Sequence, residues 1–367
     1  MRVAVTLEQC WHRVPGGIAK AAIEQVKAVE THGGVEQIGV AARHRHEPEA
    51  AWQPPIPVRH LPVSRLAMYE GWHYLGWPKV EQATGPIDVI HATGTAVPPR
   101  SVPLVVTVHD LAVLHNPERF TRRGVSFIRR ALKLTAERAD LVLCSSEATL
   151  SDCEVEGFDP ERLRLVPLGV DQSKATAEDV DEVRRRYGLD GRYVLFVGTL
   201  EPRKNLPGLV RAFGHLMAEH RYHDVRLVLA GPDGWGEEIE GLLAPLGDTV
   251  QKLGFVPEAD LRALYAGAEV FCYPSLLEGF GLPVLEAMVQ GTPVVTSAGT
   301  ATEELVRHGG GIAVSPRDYR AIAEALAEVL DDSEHAGAMG ATGAAVAADY
   351  TWQHTAELCV SAYRELA

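Results

Sequence analysis

Short, β-branched apolar runs alternate regularly with longer stretches that suit helices, and the chain carries this pattern twice. In the first half the runs fall at residues 3–7, 37–41, 88–91, 104–109, 141–145 and 163–167. In the second half they fall at 193–198, 226–231, 250–253, 270–273, 293–296 and 312–314. Runs this short and apolar fit strands covered on both faces, which occur in parallel sheets with helical crossovers. Helices fit residues 17–31 and 125–139, then 206–220, 237–246, 258–267, 283–290 and 319–332, with further helices at 336–348 and 352–366. The pattern predicts an α/β protein with two doubly wound, Rossmann-like domains of six strands each. At 367 residues the chain is also longer than one hydrophobic core usually serves. The polar, turn-rich segment 166–176 reads as the hinge. The expected domains are 1–172 and 173–348, with 349–367 a closing helix that packs back on the first domain. Ligands of such sheets sit off the carboxyl ends of the strands, so one cleft facing both domains is expected.

Charge limits the partners. The net charge of −14 argues against nucleic acid, whose phosphates demand a basic surface. Residues 1–175 hold 20 basic and 20 acidic side chains, so the acid excess lies C-terminal to them. Within the neutral half, Arg122, Arg123, Arg129, Arg130 and Lys133 share a helical stretch with Phe127, Ile128 and Leu132. This is either a solvated helix face or a weak peripheral membrane contact. No apolar run approaches the roughly 18 residues that cross a bilayer. The N-terminus begins directly on an alternating apolar run with no leader pattern, so the expected location is cytoplasmic, with the inner membrane face as a variant. Five scattered cysteines without a CxxC pair read as small buried hydrophobes, not as disulfides or a metal site.

Two common nucleotide signatures are missing. The first strand is followed by Pro15-Gly16-Gly17-Ile18 instead of Gly-x-Gly-x-x-Gly, and the chain has no Gly-x-x-x-x-Gly-Lys-Ser/Thr loop. The strongest positive signal is Glu278-Gly279-Phe280-Gly281-Leu282-Pro283-Val284-Leu285-Glu286, after the strand at 270–273. Pro283 suits a first helical turn, the glycines admit close backbone approach, and amides at a helix start bind anions. Glu286 lies about one turn into that helix and is expected to face back toward the same site as Glu278. The competing reading is a glycine-rich turn with two solvated glutamates. A second signal, Gly198-Thr199-Leu200-Glu201-Pro202-Arg203-Lys204-Asn205, follows the strand at 193–198. It sets two cations at a strand's carboxyl end, where they can offset diphosphate charge, and Glu201 can orient Arg203. Ordinary solvated surface charges are the alternative. His109, next to Asp110, ends an apolar strand at the ligand edge. The Gly16-Gly17 turn is a fourth, weaker signal.

The paired glutamates Glu278 and Glu286 resemble those of the retaining glycosyltransferase family 4, which has the GT-B fold. Pro15-Gly16-Gly17, Val108-His109-Asp110, Cys144-Ser145-Ser146, Val166-Pro-Leu-Gly-Val-Asp171, Glu201-Pro-Arg-Lys-Asn205 and Leu253-Gly-Phe-Val256 resemble family positions in the same order. The phrasing is similar to that of bacterial mannosyltransferase-like members. The resemblance implies a hexosyltransferase that uses a GDP- or UDP-linked sugar as co-substrate, with no further cofactor and no metal. It makes residues 1–172 the acceptor-binding domain and 173–348 the nucleotide-sugar domain. Lys204 matches the family's phosphate-binding lysine and Arg203 its arginine partner, although many members carry that arginine where this chain has Thr199. Glu286 would bond the ribose and Glu278 the transferring sugar. The amides of Gly279, Phe280, Gly281 and Leu282 would hold hydroxyls or phosphate, with Gly198 and Thr199 beside them. Gly16 and Gly17 would approach the diphosphate, and the base would sit by Phe255 and Val256. His109 would touch the donor sugar or line the acceptor site. Asp110, Trp72 and Tyr74 are acceptor candidates, the aromatics within a cluster with Tyr69 and Trp77 that helix packing explains equally well. The acceptor would be a saccharide, a lipid-linked glycan or a small molecule. Rival readings are a sugar-nucleotide epimerase or hydrolase of the same architecture, and a non-catalytic sugar-nucleotide or glycan-binding protein.

Overall fold

In the computed structural model, which describes residues 1–13, 15–234 and 240–367, the apolar runs assemble into a seven-stranded and a six-stranded sheet. The first contains β1 (Arg2–Thr6), β2 (Glu36–Ala41), β3 (Val58–His60), β4 (Val89–Ala92), β5 (Leu104–Val108), β6 (Leu141–Cys144) and β7 (Leu163–Leu165). The second contains β8 (Arg192–Val197), β9 (Val225–Ala230), β10 (Val250–Gly254), β11 (Val270–Tyr273), β12 (Val294–Ser297) and β13 (Gly311–Val314). The orders are β3-β2-β1-β4-β5-β6-β7 and β10-β9-β8-β11-β12-β13, and the paired strands run parallel. The chain divides into a unit of Met1–Gly169 with Tyr350–Ala367 and a unit of Val170–Asp349.

Strand pleating explains the continuous apolar runs. In β5, Val106 and Val108 enter one core with Trp72 and Leu134, whereas Val105 points to a second core with Val26 and Val29. The second core also holds Ala356, Cys359, Val360 and Tyr363 of the helix Trp352–Leu366, which lies against the helix Gly16–His32. Tyr363 and the Nδ1 of buried His91 share a hydrogen bond of 2.7 Å. All five cysteines are buried and free.

The sequence pattern did not reveal β3. This strand has only three residues, lies at a sheet edge and exposes Arg59 and His60, so it lacks an apolar repeat. The helix Ala177–Tyr187 was also missed; it is charged throughout, and a capping box between Thr176 and Asp179 starts it. Of the helix expected over 237–246, residues 237–239 lie outside the described residues. The rest forms a single turn, Glu240–Leu243, followed by the 3₁₀ segment Ala244–Thr249, where Gly247 adopts a non-helical conformation.

Candidate active site

Each sheet changes winding direction at one point, between β1 and β4 in the first and between β8 and β11 in the second. Loops leaving the two central strands diverge there and open a crevice at the carboxyl edge. In the second sheet those loops are the ones that carry Arg203-Lys204 and Glu278.

Backbone chemistry draws the two loops together. Gly198 has φ +147°, and a Cβ on its neighbour Gly231 would lie 2.1 Å from the Gly198 carbonyl oxygen, so the ends of β8 and β9 can approach this closely only as glycines. Asn205 adopts φ +56°. Its side-chain N–H groups donate to the carbonyls of Pro274 (3.0 Å) and Pro316 (2.6 Å). The Arg203 carbonyl accepts from the Leu276 amide (2.8 Å) and the Ser275 hydroxyl (3.1 Å).

The result is a compact ionic cluster. Glu278 Oε2 accepts from Lys204 Nζ at 2.7 Å and from Arg203 Nη1, the Tyr273 hydroxyl and the Ser275 hydroxyl at 3.2 Å each. All four donors converge on Oε2, which leaves Oε1 outside the network. Lys204 Nζ also donates to the Tyr273 hydroxyl, and it lies 4.5 Å from the centre of the Tyr273 ring. Two of its three N–H groups are therefore engaged. Glu201 Oε1 holds Arg203 Nε at 2.5 Å, the orienting contact expected from sequence. Lys204 is buried, whereas the Arg203 side chain is 35% exposed. Burial pushes the Glu278 carboxyl up, but Lys204 and Arg203 more than reverse this and hold it at about 2. Burial pulls Lys204 below the usual lysine value, against the opposing pull of Glu278. With two carboxylates facing two cations, the cluster is close to neutral, not the doubly positive patch that counting Arg203 and Lys204 alone implies.

Beyond Glu278 the chain turns into the helix Leu282–Val289, with Pro283 in its first turn. Gly281 starts it at φ +101°, where a Cβ would stand 2.6 Å from Thr302 Cγ2. Pro283 has no N–H and the Val284 amide donates to the Gly281 carbonyl at 2.9 Å, so the Leu282 amide is the first-turn donor that remains for a ligand. Glu286 is half-buried and accepts from the Tyr265 hydroxyl at 3.0 Å. Tyr265 and Tyr273 flank Phe271 at ring distances of 5.2 and 5.6 Å, so a single aromatic row carries a tyrosine partner for each of the paired glutamates. Gly279 and Phe280 lie in the turn after Glu278, with Phe280 buried. Thr199 follows Gly198, half-buried, while Phe255 is exposed and Val256 buried just past β10.

The remaining candidates belong to the N-terminal unit. Gly16 and Gly17 open the helix Gly16–His32, exposed, with space around both. His109 follows β5. Burial lowers its pKa, opposed by Asp110 and by a hydrogen bond to the Thr93 backbone, and its Nε2 is shielded from solvent with no hydrogen-bond partner among the described residues. Asp110 is exposed and accepts from the Ala112 amide at 3.0 Å. Trp72 and Tyr74 do not form a common wall. Trp72 is 1% exposed and its indole N–H donates to the Pro78 carbonyl at 2.8 Å, whereas Tyr74 points outward beneath the Arg130 guanidinium.

Sequence reasoning missed a hollow of about 50 Å³ at the winding change of the first sheet. Thr6, at the end of β1, and Glu8, Gln9 and His12, after it, meet Gly94 and Thr95, after β4, with Tyr69 and Trp72 alongside. Gln9 Nε2 donates to the Thr93 hydroxyl (2.9 Å), and His12 Nε2 and the Tyr69 hydroxyl lie 3.1 Å apart. Burial lowers the pKa of His12, with Arg65 adding to the effect. The available signal was positional, since polar residues directly after a first strand occupy the ligand edge.

Two parallel sheets of this order, each with polar loops at its winding change, are the architecture of the GT-B fold. Residues 15–174 match Glycosyltransferase Family 4 and residues 179–346 match Glycosyl transferases group 1. The chain belongs to glycosyltransferase family 4, among its mannosyltransferase-like members. It is 32% identical to O-antigen chain mannosyltransferase B of Escherichia coli over 285 residues, 76% of this chain and 74% of that protein. It is 31% identical to a D-inositol 3-phosphate glycosyltransferase of Thermobispora bispora over 363 residues, 92% of this chain and 82% of the relative. Among solved structures, Anabaena Alr3699/HepE in complex with UDP and glucose superposes with a TM-score of 0.79 at 22% identity, covering 98% of both chains. WaaG, a glycosyltransferase involved in lipopolysaccharide biosynthesis, superposes with a TM-score of 0.73 at 20% identity, covering 100% of this chain and 99% of its own. No described helix is long and apolar enough to cross a membrane.

Proposed function

We propose that this glycosyltransferase moves a hexose, with retention of anomeric configuration and without a metal ion, from GDP-mannose or a UDP-hexose to a hydroxyl of a glycan, lipid-linked or small-molecule acceptor. The observation that carries the proposal is the cluster at the β8/β11 winding change, where Lys204, Arg203 and a helix start surround Glu278. Cleavage breaks the bond between the anomeric carbon and the phosphate oxygen, leaving positive character on the sugar and negative charge on the diphosphate. The third N–H of Lys204, the exposed side of Arg203 and the Leu282 amide at the helix start supply fixed donors for that charge. Glu278 Oε1 accepts a hydroxyl of the transferring sugar, and Glu286 accepts from the ribose. The acceptor oxygen bonds the anomeric carbon on the face the phosphate leaves, and its proton passes to the departing phosphate oxygen. In the N-terminal unit, His109 donates through Nδ1 to Thr93, and its Nε2 lone pair accepts a sugar hydroxyl.

The hollow beside β1 and β4 supports an uncharged, hydroxyl-rich acceptor portion. It offers Thr6, Gln9 and Thr95 as neutral partners together with the carboxylate of Glu8, and no Lys or Arg lines it among the described residues.

The test begins with thermal stabilisation by GDP-mannose and UDP-hexoses, because a donor that binds the folded state raises its stability. The best donor then enters a transfer assay with and without EDTA, and the product anomer is read by NMR. Loss of transfer in Glu278→Gln and Lys204→Ala is expected, with EDTA having no effect. Normal donor binding and turnover in both variants would remove the proposed site. Consumption of donor without acceptor would instead favour an epimerase or hydrolase, and binding without any turnover a non-catalytic protein.

A further inference from the structure

Tyr265 sits in the last turn of the helix Glu258–Ala266 and Tyr273 ends β11, and both are buried. Aliphatic side chains fill such positions well, and a phenol hydroxyl taken out of water is costly unless it is bonded. Here each hydroxyl is spent on one of the paired glutamates. Tyr265 donates to Glu286 Oε2 at 3.0 Å, and Tyr273 donates to Glu278 Oε2 at 3.2 Å. Burial and the facing carboxylate push both phenols up, so each stays a neutral donor.

Both tyrosines are held at ring and main chain. Phe271 is edge-on to Tyr265 and stacked on Tyr273, and Phe196 of β8 stacks on Tyr273 at 5.9 Å. The Thr292 hydroxyl donates to the Tyr265 carbonyl at 2.7 Å, and the Thr296 hydroxyl to the Tyr273 carbonyl at 3.0 Å. The two phenols serve different groups. Tyr265 bonds Glu286, the partner proposed for the ribose. Tyr273 accepts an N–H of Lys204 while it donates to Glu278, and Lys204 also donates to Glu278 directly at 2.7 Å. That closed triangle uses two N–H groups of Lys204 and so fixes the direction of the third.

We propose that Tyr265 and Tyr273 are positioning residues that divide the donor between them. Tyr265, acting through Glu286, sets affinity for the ribose hydroxyls; Tyr273, acting through Lys204 and Glu278, sets the rate at which the sugar–phosphate bond breaks. The inference rests on the donor-site reading above. The ribose is unchanged during transfer, so a loosened Glu286 weakens ground state and transition state alike and is read in KM. Charge on the diphosphate grows only as the bond breaks, so a loosened Lys204 is read in kcat.

Steady-state transfer kinetics of Tyr265→Phe and Tyr273→Phe test this, with Tyr193→Phe as the control. Tyr193 is equally buried and its hydroxyl donates to the Leu264 carbonyl at 2.7 Å, so its loss reports on stability alone. Tyr265→Phe should raise the donor KM about fivefold with kcat held within about twofold. Tyr273→Phe should lower kcat about tenfold with KM held within about twofold. Thermal stabilisation by GDP against 2′,3′-dideoxy-GDP, or by the uridine pair where a UDP-hexose is the donor, reads the ribose separately. Tyr265→Phe should lose the preference for the ribose form, and Tyr273→Phe should keep it. Unchanged kinetics in both variants, the same KM and kcat pattern in both, or that pattern in Tyr193→Phe would overturn the proposal. A wild-type chain that binds no nucleoside diphosphate removes the donor site and this inference together, whereas a chain that transfers sugar without the split removes the inference alone.

Discussion

The Lys204–Glu278 pair allows a quantitative test of how the site is held. Glu278 stands at about 2, against 4.5 for a free glutamate, and that difference is worth about 3 kcal/mol at neutral pH. Because the folded value is the depressed one, this stability is complete above about pH 4.5 and is lost as the pH falls towards 2. Glu278→Gln should therefore cost about 3 kcal/mol at pH 7, and the deficit should shrink as pH drops through that window. Lys204→Met strands Glu278 with Arg203 as its one remaining cation and should cost about 2–4 kcal/mol. The double variant leaves neither charge unpaired, so its cost should fall short of the summed single costs by about 2 kcal/mol. Urea unfolding of the C-terminal unit at pH 7, repeated at pH 5, 4 and 3, measures all of this. Additive single costs, or a Glu278→Gln deficit that does not change with pH, would refute the coupling.

Three further outcomes follow from the loops around this pair. Gly281→Ala should lose about 1–3 kcal/mol and weaken donor-induced thermal stabilisation, because φ +101° and the 2.6 Å approach to Thr302 both oppose a side chain. Asn205→Gly keeps the backbone conformation but strips partners from the Pro274 and Pro316 carbonyls, costing about 1–2 kcal/mol by urea unfolding and raising the donor KM. Tyr363→Phe should cost about 1 kcal/mol by removing the 2.7 Å bond to His91 Nδ1, which keeps Gln25 Nε2 at 3.3 Å as its partner, with steady-state transfer kinetics unchanged.

The parallel sheets were legible because their strands are buried on both faces, which writes them as unbroken apolar runs. β3 was not, since an edge strand of exposed Arg59 and His60 has no such imprint. Arg203, Lys204 and Glu278 could be picked out because each follows a strand, and the strand order explains why those two strands are neighbours. Sequence anticipated the Glu201 contact to Arg203 but not that Glu278 engages both cations, because the Lys204–Glu278 pairing across 74 residues depends on the Asn205 and Ser275 bonds that join the loops. The hollow next to β1 stayed hidden for a related reason: Glu8, His12 and Gly94 are far apart in sequence and meet only once β1 and β4 lie side by side.

The helix Trp352–Leu366 places part of the N-terminal unit's interior at the far end of the sequence. During synthesis, residues 170–349 therefore emerge whole before Ala356, Val360 and Tyr363 can fill the gap beside Val26 and Val29. The unit that begins first is completed second, and until then its half-covered sheet presents apolar surface to the chaperones and proteases that patrol nascent chains.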